Sequence, residues 1–93
     1  MTEQVIQKKI TDFLTKKWYE VVKLIKTSCN WVPDLMVMTW DEKMFFVEVK
    51  TERGKLSALQ KFRIKKLEEN GYKVIVPYWY EDFIDKFYKL ILK

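Results

Sequence analysis

The stretch "PDLMVMTWDEKMFFVEVK", Pro33 to Lys50, decides how this chain folds. Two apolar runs, "DLMVMTW" and "MFFVEVK", flank the polar segment Asp41-Glu42-Lys43, which is the pattern of an antiparallel hairpin. Successive strand side chains point to opposite faces. Phe45, Val47 and Val49 therefore share one face, and Met44, Phe46, Glu48 and Lys50 the other. Both faces begin apolar, which predicts a central strand covered on both sides. Glu48 and Lys50 then lie partly buried at its end, where charges are costly unless paired or bound to a metal.

Asp34 begins the preceding strand, and the hairpin returns it towards Glu48. The number of turn residues decides whether the two carboxylates meet. A two-residue turn at Asp41-Glu42 would pair Asp34 with Val49 and put Asp34 and Glu48 on opposite faces. A three-residue turn or a bulge would put them on the same face. A joint role for the two acids therefore demands an odd-length turn or an irregularity between Thr39 and Met44.

Two carboxylates and a lysine at one sheet end suit a hard divalent cation. Magnesium takes oxygen ligands in octahedral geometry and keeps several waters. Asp34 and Glu48 are the candidate ligands, and the Val49 carbonyl can add a third. Without a cation the two acids would repel and one pKa would rise. Lys50 can orient or deprotonate a water, or stabilise charge developing on a phosphate. The alternative is a Glu48–Lys50 ion pair at a strand end, with Asp34 as a turn residue after Pro33.

The flanking sequence supplies the rest of the fold. Ile6, Ile10, Phe13 and Leu14 fall at helical spacing and predict a helix over Glu3–Lys17, with Thr2 as its cap. "YEVVKLIKT", Tyr19–Thr27, reads as a strand and "TSCNWV" as a loop leading into Pro33. "TERGK" is a turn containing Gly54. A helix over Ser57–Asn70 follows, stopped by Gly71. "YKVIVPYW" is a fourth strand whose Pro77 marks a strand end or an edge. "EDFIDKFYKLILK" is an amphipathic helix with Phe83, Ile84, Phe87, Leu90 and Ile91 inward. The order αβββαβα predicts an α/β fold, a mixed sheet flanked by helices.

Composition narrows the function. At 93 residues a single domain over residues 1–93 is expected. There is no histidine, which removes histidine-based zinc sites, general bases and triads. Cys29 is the one cysteine, so an intrachain disulfide is impossible; it has no partner at metal-ligand spacing and reads as structural. No apolar run approaches the roughly 20 residues of a membrane span, and the N-terminus lacks a signal-peptide core. A cytoplasmic protein is expected. The net charge of +5 is concentrated: Lys50 to Lys66 holds seven basic residues against the single acid Glu52. That excess suits a polyanion, although a solvated lysine-rich surface would read alike.

"PDLMV" with "FVEVK" resembles the PD-(D/E)XK nuclease superfamily, whose restriction-endonuclease-like αβββαβ core has the element order derived above. "EVKTERGKLSALQ" resembles more specifically the VRR-NUC family, the virus-type replication-repair nucleases. The resemblance runs from Glu3 to about Trp79 and leaves the C-terminal helix as an addition. It implies that Asp34 and Glu48 are metal ligands for Mg²⁺ or Mn²⁺, that Lys50 is the catalytic lysine, and that Gln60 sits near the scissile phosphate. It also implies a glutamate from the first helix, for which Glu3 is the best match and Glu20 a weaker one. Glu3 extends the inward stripe of Ile6 and Ile10, and it is equally an ordinary acid in a helix's first turn. Gln60 also completes a capping box with Ser57, and a helix N-terminus is a good phosphate site.

The expected activity is that of a metal-dependent, structure-selective DNA endonuclease leaving a 5′-phosphate. Small stand-alone members of the family resemble Holliday-junction resolvases and act as homodimers. The resemblance therefore implies a branched or duplex DNA partner, a role in repair or recombination, and a viral or phage setting in host cytoplasm. Arg53, Lys55, Ser57, Lys61, Arg63, Lys65 and Lys66 are the candidate DNA contacts, positioning the backbone rather than reading sequence. Phe83, Phe87, Tyr88 and Ile91 are a candidate dimer surface, or else only cap the sheet. Relatives often carry a glycine- and arginine-rich loop before the proline-aspartate. Here it is "TSCNW", whose Trp31 either stacks on an unpaired base or serves a core or interface. The alternative function is a non-catalytic nucleic-acid-binding module, or a nuclease subunit dependent on replication, repair or restriction partners.

Overall fold

The computed structural model describes residues 2–25, 31–51 and 54–92. The elements are α1 (Glu3–Thr15), β1 (Glu20–Lys23), β2 (Leu35–Met38), β3 (Met44–Val47), α2 (Ala58–Glu69), β4 (Lys73–Ile75) and α3 (Tyr80–Ile91). The order matches the sequence reading, and the sheet is mixed, in spatial order β1-β2-β3-β4. β1 pairs with β2 and β2 with β3 antiparallel, and β3 pairs with β4 parallel. A parallel pair needs a crossover, which α2 provides. β3 is thus the interior strand that its two-sided apolar pattern predicts. β4 lies at an edge, as Pro77 suggests.

The hairpin turn is three residues long. β2 and β3 pair Leu35 with Val47, Met36 with Phe46, Val37 with Phe45 and Met38 with Met44. The Thr39 amide closes the turn by donating to the Lys43 carbonyl at 2.8 Å, so the loop is Trp40-Asp41-Glu42, one residue earlier than the sequence suggests. Glu42 takes the left-handed conformation, with φ +69°, as expected at the third position of such a loop. The Thr39 side chain stabilises it by accepting from the Lys43 amide and donating to Asp41.

One sheet face carries the core. Ile6, Ile10 and Leu14 of α1 and Phe83 and Phe87 of α3 pack against Leu35, Val37, Phe45, Val47 and Val49. Phe13 makes edge-to-face contacts with Phe83 and Phe87 at 6.1 and 5.4 Å. Phe83 and Phe87 are 0% and 1% exposed, so they cannot form the dimer surface considered for them. They cap the sheet, and on α3 it is Tyr88 that stays exposed.

The other face is covered by α2, in which Ile64 is the residue fully buried. Helix boundaries differ slightly from expectation. α1 stops at Thr15 rather than Lys17, because a turn with Trp18 at φ +67° redirects the chain into β1. β1 is four residues long, shorter than the expected Tyr19–Thr27: Leu24 and Ile25 lie beyond its end, and Lys26, Thr27 and Cys29 fall outside the described residues. Among the described residues no helix is long and apolar enough to cross a membrane.

Candidate active site

Extending the hairpin register by one pair sets Asp34 directly opposite Glu48. The odd-length turn that a joint role demanded is present, and both acids lie on the α2 side of the sheet. Val49 would face position 33, a proline that begins no paired strand. Its amide donates instead to Asp34 Oδ2 at 2.8 Å. On the opposite edge, the Glu48 and Lys50 amides continue the parallel ladder by donating to the Ile75 and Pro77 carbonyls. The strand end is therefore held from both sides, and the three side chains of interest are set by backbone pairing rather than by a loose loop.

Glu48 is 3% exposed. Its Oε2 accepts from Gln60 Nε2 at 3.2 Å and lies 3.7 Å from Lys50 Nζ. Its Oε1 is buried without a hydrogen-bond partner among the described residues. Gln60 is aimed by the predicted capping box: Ser57 Oγ accepts from the Gln60 amide, and Gln60 Oε1 accepts from the Ser57 amide. The same glutamine thus caps α2 with its oxygen and holds Glu48 with its nitrogen.

Glu3 joins from the far end of the sequence. Its Oε2 accepts from the Thr51 amide at 3.2 Å. Gly54 lies so close that a Cβ there would be 3.4 Å from the same oxygen. Glu20 does not take part: it is exposed, at the end of β1 paired with Met38, away from Asp34.

The charges act on one another. Burial, and then the charge of Asp34, push the Glu48 carboxyl up to about 7, against the pull of Lys50. Asp34 is also raised by burial and by Glu3, against the Val49 amide, Lys50 and Lys23. Lys23 was not signalled by any motif, because only the β1–β2 register brings it beside Asp34. A buried acid with an orphaned oxygen beside a second raised acid fits a hard divalent cation, which would relieve both conditions. Among the described residues no three acidic or thiol side chains form a ready-made cage. The fit therefore rests on Asp34 and Glu48, with Glu3 acting at electrostatic range.

The candidate DNA-contact residues divide. Lys55, Ser57, Lys61, Lys65 and Lys66 are exposed. Arg63 is not part of that outer surface: it is half-buried on the inner side of α2, and its Nε is enclosed without a partner among the described residues. Arg53 lies outside the described residues.

Comparison with known proteins agrees with this geometry. No curated protein matches the chain. The family model described as "VRR-NUC domain" matches residues 1–78. A solved structure titled "VRR_NUC domain" superposes with a TM-score of 0.84 at 26% identity, covering 94% of each chain. The match spans the hairpin, the E-x-K strand end and the capped helix from which the site is built, and on that basis the chain belongs to the VRR-NUC family, one of the PD-(D/E)XK-type nucleases.

Proposed function

We propose that this protein is a Mg²⁺- or Mn²⁺-dependent, structure-selective DNA endonuclease of Holliday-junction-resolvase type, working as a homodimer. The observation that carries the reading is the placement of Asp34 opposite Glu48 on one sheet face, with Lys50 Nζ 3.7 Å from Glu48. Asp34, Glu48 and the Val49 carbonyl are the groups that would hold the ion. When bound, it supplies Lewis acidity at the phosphoryl oxygen and a lowered pKa for water.

The chain's own residues do the rest. Gln60 fixes the Glu48 rotamer from a rigid helix end, and the Asp34 carboxylate is oriented by the Val49 amide. Glu3 adds negative charge that strengthens the attraction for a cation. Lys50, at the rim of the cluster and 15% exposed in its side chain, orients the attacking water and stabilises charge developing on the phosphate. The exposed Lys55, Lys61 and Lys65, with the Ser57 end of α2, meet the DNA backbone. Affinity should therefore fall steeply with salt.

The test is cleavage of a labelled four-way junction beside linear duplex, flap and single strand, with Mg²⁺, Mn²⁺ or chelator, for the native chain and Lys50→Ala. Paired, symmetric cuts in the junction that need the metal and vanish in Lys50→Ala support the proposal. Undiminished cutting by Lys50→Ala would remove that lysine from the mechanism. Junction binding without cleavage of any substrate would favour a binding module or a subunit awaiting its partner.

A further inference from the structure

A cavity of about 340 Å³ is lined by residues of the same three segments that carry the carboxylate cluster. Pro33 lines the cavity and Asp34 belongs to the cluster. Phe46 lines the cavity, and Glu48, two residues on along the same face of the chain, belongs to the cluster. Arg63 lines the cavity, and Gln60, one turn earlier on the inner side of α2, holds Glu48. A helix rises about 1.5 Å per residue, so Arg63 lies about 5 Å along α2 from Gln60. That is on the order of one nucleotide step, ~3.4 Å in a stacked strand.

The lining has the chemistry of a nucleotide site. Trp31 and Phe46 offer aromatic surfaces, on which any base can stack. Arg63 and Lys66 supply cations, Asn70 supplies an amide, and no acid lines the cavity among the described residues. The buried Arg63 Nε, without a partner there, is a donor that calls for an acceptor, since buried polar groups are ordinarily satisfied. Leu24, Val32, Pro33 and Leu67 complete the lining, so the polar groups stand in an otherwise apolar wall. The volume lies at the lower end of small-molecule sites, about 300 Å³ and upward, which admits one nucleotide and excludes a duplex.

We propose that this cavity receives a single unpaired nucleotide of the strand being cut, with its base against Trp31 and Phe46 and its phosphate at Arg63 and Lys66. The proposal rests on the nuclease reading and adds what selects the substrate. A strand that can release one nucleotide beside the scissile phosphate, at a branch point, bulge or mismatch, is preferred because unstacking is least costly there.

Two readouts separate this proposal from the nuclease reading. In the first, 2-aminopurine is placed at successive positions of a duplex bearing one unpaired nucleotide, and binding is followed in Ca²⁺ so that no cut is required. A fluorescence change at one position at least twofold larger than at its neighbours, lost in Arg63→Gln and Trp31→Leu and kept in Trp31→Phe, supports the cavity. A uniform response along the strand, or one unchanged in the Arg63 and Trp31 variants, overturns it. Melting temperatures of the variants show that they are folded.

In the second, cleavage in Mg²⁺ of the bulged duplex is compared with its fully paired counterpart. A preference of at least tenfold that collapses in Arg63→Gln supports the proposal. Equal cutting of both substrates overturns it while leaving the nuclease intact. If neither is cut while the four-way junction is, the cavity proposal is overturned and the nuclease stands; if the junction is also uncut, the nuclease reading fails and the fluorescence result decides the cavity alone.

Discussion

The two faces of the sheet are built to different rules. Beneath α1 and α3 the packing is dominated by apolar side chains, with three phenylalanine rings, Phe13, Phe83 and Phe87, in mutual contact. Beneath α2 lie a buried glutamate, an enclosed guanidinium nitrogen and a cavity. One face lowers the free energy of the fold; the other holds charge and space at some expense to it. The difference teaches that the chemistry depends on one face being stable enough for the other to be strained. Alternation along β3 assigns each residue to one side or the other.

The most severe way to break the contrast is to exchange the faces. Deleting Met44 from the start of β3 while the three-residue loop is kept slides β3 one residue along β2, so that Asp34 stands opposite Val49 and Glu48 turns to the other face. We expect loss of cooperative unfolding, read by circular dichroism on heating, together with loss of cleavage. A folded, active deletion variant would show that the turn does not set the register.

Next in size is the apolar face alone. Phe87→Ala removes a ring that is 1% exposed and should lower stability by about 3–5 kcal/mol in denaturant titration. A loss below 1 kcal/mol would mean that the aromatic cluster is not central to the core.

The charged face should respond to pH in the opposite sense from ordinary acids. In the folded chain Glu48 keeps its proton up to about 7, against an ordinary value of 4.5. Between those values the native state binds more protons than the unfolded chain. With chelator present, stability is therefore full below about pH 4.5 and is lost as pH rises through about 7. The contribution is on the order of 2–3 kcal/mol, and Asp34, also raised, acts with the same sign. Glu48→Gln should flatten most of this slope and be more stable than the native chain at pH 8. A variant that melts lower than the native chain at pH 8 would contradict the strain assigned to Glu48.

The smallest effect couples the two faces' logic at one residue. Ser57→Ala removes the α2 cap and should reduce stability by about 1 kcal/mol. It should also loosen Gln60 on Glu48, so cleavage should fall by more than the fraction unfolded explains. Activity that tracks only the folded population would make the capping box purely structural.

Local signals were enough for much of this. Helical spacing located α1 and α3, the Ser57–Gln60 cap and the Gly71 stop bracketed α2, and the alternation of "MFFVEVK" marked β3 as interior with Glu48 and Lys50 sharing one face. These depend on neighbours within a few residues, which the chain order already supplies. The half-burial of Arg63 was not legible because α2 is weakly amphipathic, with polar residues on both sides, so its inner side cannot be read from periodicity. Phe87 was open between core and interface for a related reason: an apolar stripe shows that something covers it but not what.

Amino-acid order by itself thus determined the elements, their sequence along the chain, and which side of each strand a residue takes, because propensity, capping and alternation are short-range. Tertiary structure decided how far those sides slide past one another. Whether the turn began at Trp40 or Asp41, whether Glu3 reached the Thr51 amide, whether Lys23 stood beside Asp34, and whether α2 left a cavity over Phe46 all follow from register and packing between distant segments. Such contacts are set by the fit of the whole sheet and its helices, which no local pattern encodes.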